Sequence, residues 1–472
     1  MPSWDLGEIV QHTQGTLLRG DAQQQVQGVS TDSRTVQPGE LFAALHGEHF
    51  DGHHFVDAAV QRGATAILVA ESPATATDLV TAAGAPVAVI RVNDTEKALQ
   101  NFALAHRRRF RGTMVAITGS NGKTTVKEMT AAVLSTSFAT YKAAGNLNNH
   151  IGVPLTLLGM ELIQDVAVLE LGMNHLGEIR HLCAIALPHI GVITNIGLAH
   201  VGYLGSIERI QQAKGELLEA LDASGVAIVN ADDPRALGLG QHSTAGRVIT
   251  FGQGPEAEVR GWVQQDLGLE GIRCALVLQQ QVWDVQLRLP GMHQLPNALA
   301  AAAVGVAMQV PAERIVEALE GYKGMYGRMT VRRGRHGGLL IDDTYNANPQ
   351  SMQAALQCLA RVQSPGQHIA VLGDMLELGA AGPDLHQEIG ALAAHSGVHH
   401  LIVFGPLATH IAHGAAQAGL AVERIHQARD QQEVLTALAA VVHPQDVVLL
   451  KGSRGMAMEH LVHALRAETE EQ

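Results

Sequence analysis

Apolar and polar positions change their pattern along this chain, and the first pattern predicts a small α/β unit. Short apolar runs separated by turn residues are typical of strands joined by tight connections. These runs lie at 41–45, 64–70 and 87–92. The segment 95–110 instead repeats apolar side chains near helical spacing, which predicts a helix.

A second pattern begins near Gly112, where continuous Val/Ile runs alternate with helical stretches. Such runs predict a parallel sheet covered by helices on both faces. They lie at 114–118, 165–171, 191–196, 225–230 and 247–252. Residues 274–289 alternate apolar and polar positions, which predicts an antiparallel hairpin at the edge of that sheet.

A third α/β pattern begins near Gly327, again with strand-like runs separated by helices. The runs lie at 338–343, 368–374, 399–405 and 446–452. At roughly 150 residues per domain, a chain of 472 residues corresponds to about three domains. The pattern therefore predicts an α/β protein with a small N-terminal domain at 1–93, a central parallel-sheet domain at 94–325 and a Rossmann-like C-terminal domain at 326–472.

Composition removes several classes of function. A net charge of −13 argues against a nucleic-acid partner, since binding to a phosphate backbone requires basic surface. The three cysteines are far apart and form no C-x-x-C pair, so neither a zinc site nor a disulfide framework is predicted. The N-terminus lacks a basic and an apolar region of the kind found in signal peptides, and the Ala/Val-rich stretch 297–310 is too short to span a bilayer. We therefore expect a cytoplasmic protein without membrane insertion.

The stretch AITGSNGKTT at 116–125 indicates a phosphate-binding loop, because it follows a predicted strand and precedes a predicted helix. Its spacing is shorter than the common G-x-x-x-x-G-K-[ST] pattern, since the first glycine, Gly119, comes two positions late. Glycines let successive N–H groups face one anion, and the following helix N-terminus adds partial positive charge. Lys123 can neutralise phosphate oxygens, and the Thr124 hydroxyl can bind Mg²⁺.

Other polar residues follow predicted strands, at the edge where open α/β sheets bind ligands. Glu170 ends an apolar strand and is a natural Mg²⁺ ligand beside a phosphate loop. The polar cluster 342–348 follows a later strand, and Lys451 and Arg454 offer cations after the last one. Asn297 opens an Ala-rich helix, where it could pair with an adenine edge or simply cap the helix.

The sequence pattern by itself predicts no function for two further side chains. His200 is a loop histidine in a chain that has 25 histidines. Lys214 lies on an amphipathic helix, where the pattern alone predicts an ordinary exposed lysine.

The order of these motifs resembles the Mur ligases of bacterial cell-wall synthesis. The matching stretches, which cover nearly the whole chain, are AITGSNGKTT, NLNNHIGVPLTLL, ELGMNHLGEI, NIGLAHVGYLGSIERIQQAKGEL, DDTYNANPQSM and KGSRGMAME. TYNANP and KGSRGMAME are the most specific, because they separate one branch from its sister ligases. That branch implies an ATP-dependent ligase that adds D-alanyl-D-alanine to UDP-N-acetylmuramoyl-tripeptide through an acyl phosphate, giving the pentapeptide precursor of peptidoglycan.

The resemblance also implies roles for the domains and residues. The N-terminal domain would bind the UDP-sugar, the central domain ATP, and the C-terminal domain would complete the ligase site. The implied ATP-binding set is Gly119, Ser120, Asn121, Gly122, Lys123, Thr124, Thr125, Asn297, Arg328 and Asp343. The implied catalytic set is Lys123, Glu170, His200, Lys214 and Arg328. The implied substrate-binding set is Ser30, Asp32, Arg34, Asn146, Asn148, Asn149, Lys451 and Arg454.

Two Mg²⁺ ions are implied as well, held by Thr124, Glu170, His200 and Lys214. Here Lys214 corresponds to a lysine that reacts with CO₂ to become a carbamate. Unmodified, its ammonium would repel the metal. Gln294 and Pro296 depart from the family's adenine segment, which bears on where the helix around Asn297 begins.

Several alternatives remain open at this point. The sister ligase that adds the third peptide residue and folylpolyglutamate synthase are the nearest, and TYNANP argues against both. A nucleotide-gated binding module without catalysis predicts damage to the catalytic set, yet Lys123, Glu170, His200 and Lys214 are all present. A plain P-loop GTPase or kinase leaves the third domain unexplained. We expect a monomer.

Overall fold

Three main sheets organise the computed structural model, which describes residues 2–47, 50–70, 79–82 and 84–467. This arrangement confirms the predicted α/β fold class with a central parallel sheet and a second, Rossmann-like sheet. The domain boundaries at 93/94 and 325/326 remain predictions.

The N-terminal unit contains a five-stranded sheet in the order β2-β7-β6-β5-β4 and a separate antiparallel pair, β1 and β3. Its strands are β1 (Ser3–Asp5), β2 (Thr16–Arg19), β3 (Gln25–Gln27), β4 (Val29–Ser30), β5 (Leu41–Ala43), β6 (Ala66–Val69) and β7 (Ala88–Arg91). Its helices are α1 (Leu6–Thr13), α2 (Val56–Gln61) and α3 (Thr95–Arg109). Asp94 caps α3 by accepting a hydrogen bond from Lys97 N, so the predicted helix begins one residue after a typical N-cap.

The central unit is a nine-stranded sheet in the order β16-β15-β14-β13-β12-β11-β8-β10-β9. Its strands are β8 (Thr113–Thr118), β9 (Thr140–Lys142), β10 (Val166–Glu170), β11 (Ile190–Ile193), β12 (Val226–Asn230), β13 (Arg247–Gly252), β14 (Val259–Asp266), β15 (Ile272–Leu278) and β16 (Gln281–Leu287). Its helices are α4 (Lys123–Ser135), α5 (Gly152–Leu158), α6 (Glu178–Ala186), α7 (Val201–Leu204), α8 (Ile207–Glu219), α9 (Pro234–Gln241), α10 (Gln294–Ala307) and α11 (Ala312–Gly321).

Strand order places the phosphate loop at the centre of this sheet. β8 lies between β10 and β11, and the chain leaves it first toward β9 and β10 and later toward β11 to β13. This reversal is the topological switch point at which parallel sheets bind ligands. The loops after β8, β10 and β11 therefore meet at one edge.

Two local predictions are refined in this unit. The antiparallel hairpin is confirmed as β15 and β16, and its two turn residues, Gln279 and Gln280, both have positive φ, as a type I′ turn requires. Asn297 does not open its helix, because α10 begins at Gln294. Pro296 is tolerated there since proline fits the first turn of a helix.

The third unit is a six-stranded sheet in the order β17-β18-β22-β19-β20-β21, parallel except for β17 at its edge. Its strands are β17 (Thr330–Arg333), β18 (Leu339–Asp343), β19 (His368–Gly373), β20 (His400–Phe404), β21 (Ile425–Ala428) and β22 (Val447–Lys451). Its helices are α12 (Pro349–Ala360), α13 (Gly382–His395), α14 (Ala408–Gln417), α15 (Gln431–Val441) and α16 (Glu459–Leu465). Because β22 lies between β18 and β19, the polar loops after these three strands converge.

Among the described residues, no helix combines the length and the hydropathy needed to cross a membrane.

Candidate active site

The phosphate loop keeps glycine at the two positions where neighbouring side chains come too close for a Cβ atom. A Cβ at Gly119 would overlap Thr194 Oγ1, and a Cβ at Gly122 would overlap Asn297 Oδ1. Both glycines also have positive φ, at 152° and 81°. The shortened loop is thus compressed between the end of β11 and helix α10.

Two residues after β11 hold the loop in place, and sequence reasoning missed both. Asn195 Oδ1 accepts a hydrogen bond from Asn121 N at 2.9 Å, and Asn195 O accepts one from Ser120 N at 3.0 Å. Thr194 Oγ1 donates to Asn121 O at 2.6 Å. These bonds occupy the N–H groups of Ser120 and Asn121, so an anion would bind at the N-terminus of α4, whose first N–H groups lack intrahelical partners.

Glu170 lies beside this helix end as a buried carboxylate. The parallel register pairs Glu170 with Ile117 of β8, which brings it level with the loop, and only 3% of its surface is exposed. Its Oε2 accepts a hydrogen bond from Thr124 Oγ1 at 2.8 Å, and its Oε1 accepts one from Asn148 Nδ2 at 2.8 Å. Asn148, predicted as a substrate ligand, thus orients the predicted metal ligand.

Two lysines, the half-buried Lys123 and the buried Lys214, lie close to each other and to Glu170. Lys123 Nζ donates to Gly119 O at 2.8 Å; burial lowers its pKa, and the nearby Glu170 carboxylate opposes that shift. Lys214 is 1% exposed, so its interpretation as an ordinary exposed lysine is wrong. Burial lowers the pKa of Lys214 well below its usual value, and the Lys123 cation lowers it further, although Glu170 opposes both. The amphipathic pattern of α8 predicts an exposed lysine, whereas Lys214 lies on the face of α8 that packs against the protein interior.

His200 meets a residue that the sequence did not single out. Its Nδ1 lies 2.7 Å from Glu377 Oε2, although the two groups are not aligned as a hydrogen bond. A small rotation about the soft side-chain torsions would align the donor with the carboxylate. The His200 imidazole holds the pKa of Glu377 below its usual range.

Arg328 reaches the N-terminus of α4 from the third unit. Its Nη2 donates to Thr124 Oγ1 at 3.2 Å, and its guanidinium carbon lies 4.1 Å from the centre of the Tyr345 ring. Arg454 lies over the same ring at 5.6 Å. Tyr345 therefore lies against two arginine side chains, in a contact that sequence reasoning did not foresee.

Lys451 and Asp343 form an internal pair. Lys451 is 2% exposed, and its Nζ lies 2.5 Å from Asp343 Oδ2 and 2.9 Å from Asn346 O. Burial lowers the pKa of Lys451, and Asp343 opposes the shift. Lys451, predicted to bind substrate, therefore holds the polar loop after β18 in place through Asp343 and Asn346.

The third unit also contacts the loop directly through amides. Asn348 Nδ2 donates to Asn121 Oδ1 at 2.7 Å, and Asn121 Nδ2 donates to Gln350 Oε1 at 2.9 Å. Asn348 is the N-cap of α12, so the start of this helix is fixed against the phosphate loop.

Two cavities adjoin at the loop. The first, of about 270 Å³, is bounded by a polar set that includes Ser120, Asn121, Gly122, Lys123, Thr124, Asn146, Asn148, Asn149, Glu170, His200, Arg328, Tyr345 and Arg454. The second, of about 360 Å³, lies on the other side of Gly122 and Thr124 and is bounded by Thr125, Asn230, Asp233, His293, Gln294, Asn297 and Asp343 among others. Asn121, Gly122, Thr124, Arg328 and Ser351 face both cavities. One pocket for phosphates and one for a nucleoside would fit this shape.

The predicted N-terminal residues lie elsewhere. Ser30, Asp32 and Arg34 are described by the structure but are not among the residues that line either cavity. Arg34 Nη2 donates to Asp32 Oδ2 at 2.7 Å, and this pairing lowers the pKa of Asp32 to about 2. The structure therefore does not bring this group together with the phosphate loop.

The described residues contain no group of three or more His, Cys, Asp or Glu side chains arranged to hold a metal ion. A metal at this site would depend on other donors as well, and Thr124 beside Glu170 provides such a set of hard oxygen atoms.

The fold and the cavity together define an enzyme of the phosphate-loop class, and sequence comparison makes the family specific. Residues 117–305 match the Mur ligase middle domain, residues 327–454 match the Mur ligase glutamate ligase domain, and residues 25–107 match the Mur ligase family catalytic domain. The chain belongs to the Mur ligase family.

Comparison with individual proteins shows which branch of the Mur ligase family this chain is similar to in sequence and structure. The UDP-N-acetylmuramoyl-tripeptide–D-alanyl-D-alanine ligase of Bacillus subtilis (strain 168) is 36% identical over 460 residues, which cover 97% of each chain. A crystal structure of MurF from Acinetobacter baumannii superposes with a TM-score of 0.86 at 33% identity, covering 98% of this chain and 99% of the other. MurF ligase from Thermotoga maritima, solved in complex with ADP, superposes with a TM-score of 0.77 at 29% identity, covering 93% and 96%.

Proposed function

We propose that this chain is an ATP-dependent ligase that joins D-alanyl-D-alanine to UDP-N-acetylmuramoyl-tripeptide and so forms the pentapeptide precursor of peptidoglycan. The observation that carries the proposal is the first cavity, where the phosphate loop, buried Glu170 and third-domain Arg328 face one space. The similarity to the Bacillus subtilis ligase along 97% of the chain supports the choice of substrates.

The family resemblance implies two steps, which we assign to this cavity. In the first, a terminal oxygen of the tripeptide carboxylate attacks the γ-phosphorus of ATP, the bond to the bridging oxygen breaks, and ADP leaves. In the second, the dipeptide amine attacks the acyl carbon, loses a proton, and inorganic phosphate leaves. Both steps mainly require neutralisation of negative charge, which Lys123 and Arg328 supply beside the N-terminus of α4.

The nucleotide would occupy both cavities. Its phosphates would lie on the first turn of α4, and its nucleoside would enter the second cavity, beside Asn297 and Asp343. Asn297 Nδ2 donates to Gln294 Oε1 at 3.1 Å, which orients the amide that we assign to adenine. Asp343 is held by Lys451, which supports a fixed carboxylate for the ribose.

The family implies two Mg²⁺ ions, and the oxygen atoms of Thr124 and Glu170 fit one of them. Thr124 and Glu170 would hold one ion, since their hydroxyl and carboxylate oxygens are hard ligands 2.8 Å apart. His200 and Lys214, the latter as a carbamate, would hold the other. Bound Mg²⁺ offsets phosphate charge and polarises the phosphoryl group. A negative carbamate at Lys214 also suits its burial beside Lys123, where an ammonium faces another cation.

The remaining substrate contacts are assigned by domain. We assign the UDP-sugar to domain 1–93 through Ser30, Asp32 and Arg34, ATP to domain 94–325, and the closing half of the ligase site to domain 326–472. Asn146 and Asn149 line the first cavity, as does Asn148, which supports entry of the muramoyl portion there. Arg454 lines the same cavity and would offer the substrate a cation, while Lys451 acts through Asp343.

The direct test is phosphate release from ATP with UDP-N-acetylmuramoyl-tripeptide, with and without D-alanyl-D-alanine. We expect sustained turnover only with the dipeptide, and a product whose mass rises by that of the dipeptide minus water. Turnover with a single amino acid on a dipeptide-bearing nucleotide, and none with D-alanyl-D-alanine, would instead assign the chain to the sister ligase.

The ring of Tyr345 is expected to position Arg328 for the reaction. Tyr345→Leu removes the face on which the guanidinium lies and should lower kcat/KM by about 2- to 30-fold, which corresponds to a cation–π contact of about 0.5–2 kcal/mol. Tyr345→Phe keeps the ring and should retain most of the activity. Steady-state kinetics with all three substrates measures both.

A matched control for this experiment is Tyr326→Leu. The guanidinium carbon of Arg332 lies 5.0 Å from the centre of the Tyr326 ring, in a similar cation–π contact. Tyr326 is not among the residues that line either cavity. It should change kcat/KM by less than about two-fold. Equal losses of kcat/KM for Tyr326→Leu and Tyr345→Leu would show that the Tyr345 ring affects activity only through the stability of the protein.

A further inference from the structure

A close contact joins the central and third units beside the first cavity. Gly202 N donates to Glu377 O at 2.9 Å, and a Cβ at Gly202 would lie only 2.6 Å from that oxygen. Val201 packs against the hydrophobic core of the third unit. Helix α7 and the loop 373–379 are therefore fitted to each other at backbone distance.

The two residues whose side chains meet at this contact, His200 and Glu377, both have an unusual backbone conformation. His200 has a φ of 64° and Glu377 a φ of 66°, which places two non-glycine residues in the left-handed region. Such conformations are unfavourable for residues other than glycine and persist only where the surroundings over-determine them. Strain on both partners of one contact points to a functional constraint at that contact.

Hydrogen bonds within the third unit fix the loop that contains Glu377. Met375 N donates to Nε2 of the buried His386 at 2.9 Å, and Leu376 N donates to Ser453 Oγ at 2.8 Å. Ser453 N in turn donates to Asp374 O at 3.0 Å. These bonds fix the backbone that leads to Glu377 within the third unit.

Its partner, His200, lines the first cavity, and Nδ1 is the ring atom that faces Glu377. A carboxylate on one ring nitrogen of a histidine sets its tautomer and its orientation, which leaves the other nitrogen to act in the site. We propose that Glu377 is a positioning residue that orients His200 toward the reaction, and that it does so only while the third domain is seated on the central one. The proposal rests on the proposed function, since it assigns a partner to a residue of that same site.

This coupling would give domain closure a chemical consequence. Without the third domain, His200 would lose its carboxylate, and the cavity would lack a correctly oriented imidazole. Glu377 is not among the residues that line either cavity, so the groups that would contact ATP stay in place when its side chain alone is changed. The structure therefore predicts that loss of Glu377 affects turnover more than nucleotide binding.

The test uses the full chain with Glu377→Gln and, as a matched control, Glu388→Gln, which changes an exposed glutamate on α13. Glu377→Gln should lower kcat by about 10- to 100-fold, the usual cost of losing such a partner, while KM for ATP changes by less than about two-fold. Glu388→Gln should match the wild type. Gly202→Ala keeps the carboxylate but separates the two segments, and it should reproduce the kinetic defect of Glu377→Gln.

A second readout needs no substrate. In protein labelled with ¹⁵N-histidine, the ring signals of His200, assigned by their loss in His200→Gln, should shift in Glu377→Gln and Gly202→Ala and stay unchanged in Glu388→Gln. Unchanged His200 signals in Glu377→Gln, or changed signals with a wild-type kcat, would overturn the proposal. If the wild-type chain itself showed no ligase turnover, the proposed function would fail, whereas the spectra would still test the contact.

Discussion

Lys123→Ala is expected to lower ligase turnover by about 10²–10³-fold, the usual cost of removing one electrostatic contact to a reacting group. The side chain projects from the first residue of α4, and its Nζ is held on Gly119 O at 2.8 Å, so its charge is fixed before ATP arrives. The loop itself should survive, because the hydrogen bonds from Asn195 and Thr194 still anchor its backbone when the bond from Lys123 to Gly119 O is lost.

The measurement is steady-state phosphate release together with thermal unfolding of the same preparations. Lys142→Ala serves as a control, since Lys142 is a half-exposed lysine that pairs with Glu128 away from the cavities. It should retain wild-type turnover. Near-normal turnover of a folded Lys123→Ala would contradict the assignment of this loop to ATP.

Lys214→Ala is expected to be nearly inactive, with a loss of at least about 10²-fold, because it removes the group that we assign to the second metal. A carbamate forms only from the neutral amine. The pKa of Lys214 lies well below its usual value, mainly through burial, so the neutral amine is available at lower pH than for an exposed lysine. Turnover should therefore depend on dissolved CO₂, and should weaken in degassed, mildly acidic buffer, where more of the amine is protonated.

Chemical rescue separates a carbamate from a plain lysine. A small carboxylate such as acetate should partly restore Lys214→Ala, because it can supply the missing negative charge. Lys214→Arg should not be rescued, since its guanidinium stays charged and fills the space. Lys127→Ala is the matched control: Lys127 is also fully buried, but it donates to the carbonyls of Ala143 and Gly145 and should not respond to acetate.

The modification itself is visible with ¹³CO₂. The wild-type chain with Mg²⁺, nucleotide and tripeptide should show a carbamate carbon signal that is absent in Lys214→Met. A bare ammonium at Lys214 in that fully liganded state would contradict the proposal.

Patterns close together in sequence determined the fold class and the phosphate loop. Strand and helix periods are set by side chains two to four positions apart, so the alternation around 112–252 could be recognised without the structure. The loop at 116–125 could be found because both glycines, the lysine and the following helix are contiguous. Glu170 could be placed at the same sheet edge because parallel strands end together.

Only the tertiary structure determined which residues from distant parts of the chain contact and hold the site residues. Asn195 tethers the loop from 74 residues away, Lys451 pairs with Asp343 across 108 residues, and Asn348 reaches Asn121 across 227. The inward face of α8 that buries Lys214, and the docking that brings Glu377 to His200, likewise depend on which elements pack together. Burial and long-range contact are properties of the assembled chain, and no local period of the sequence encodes them.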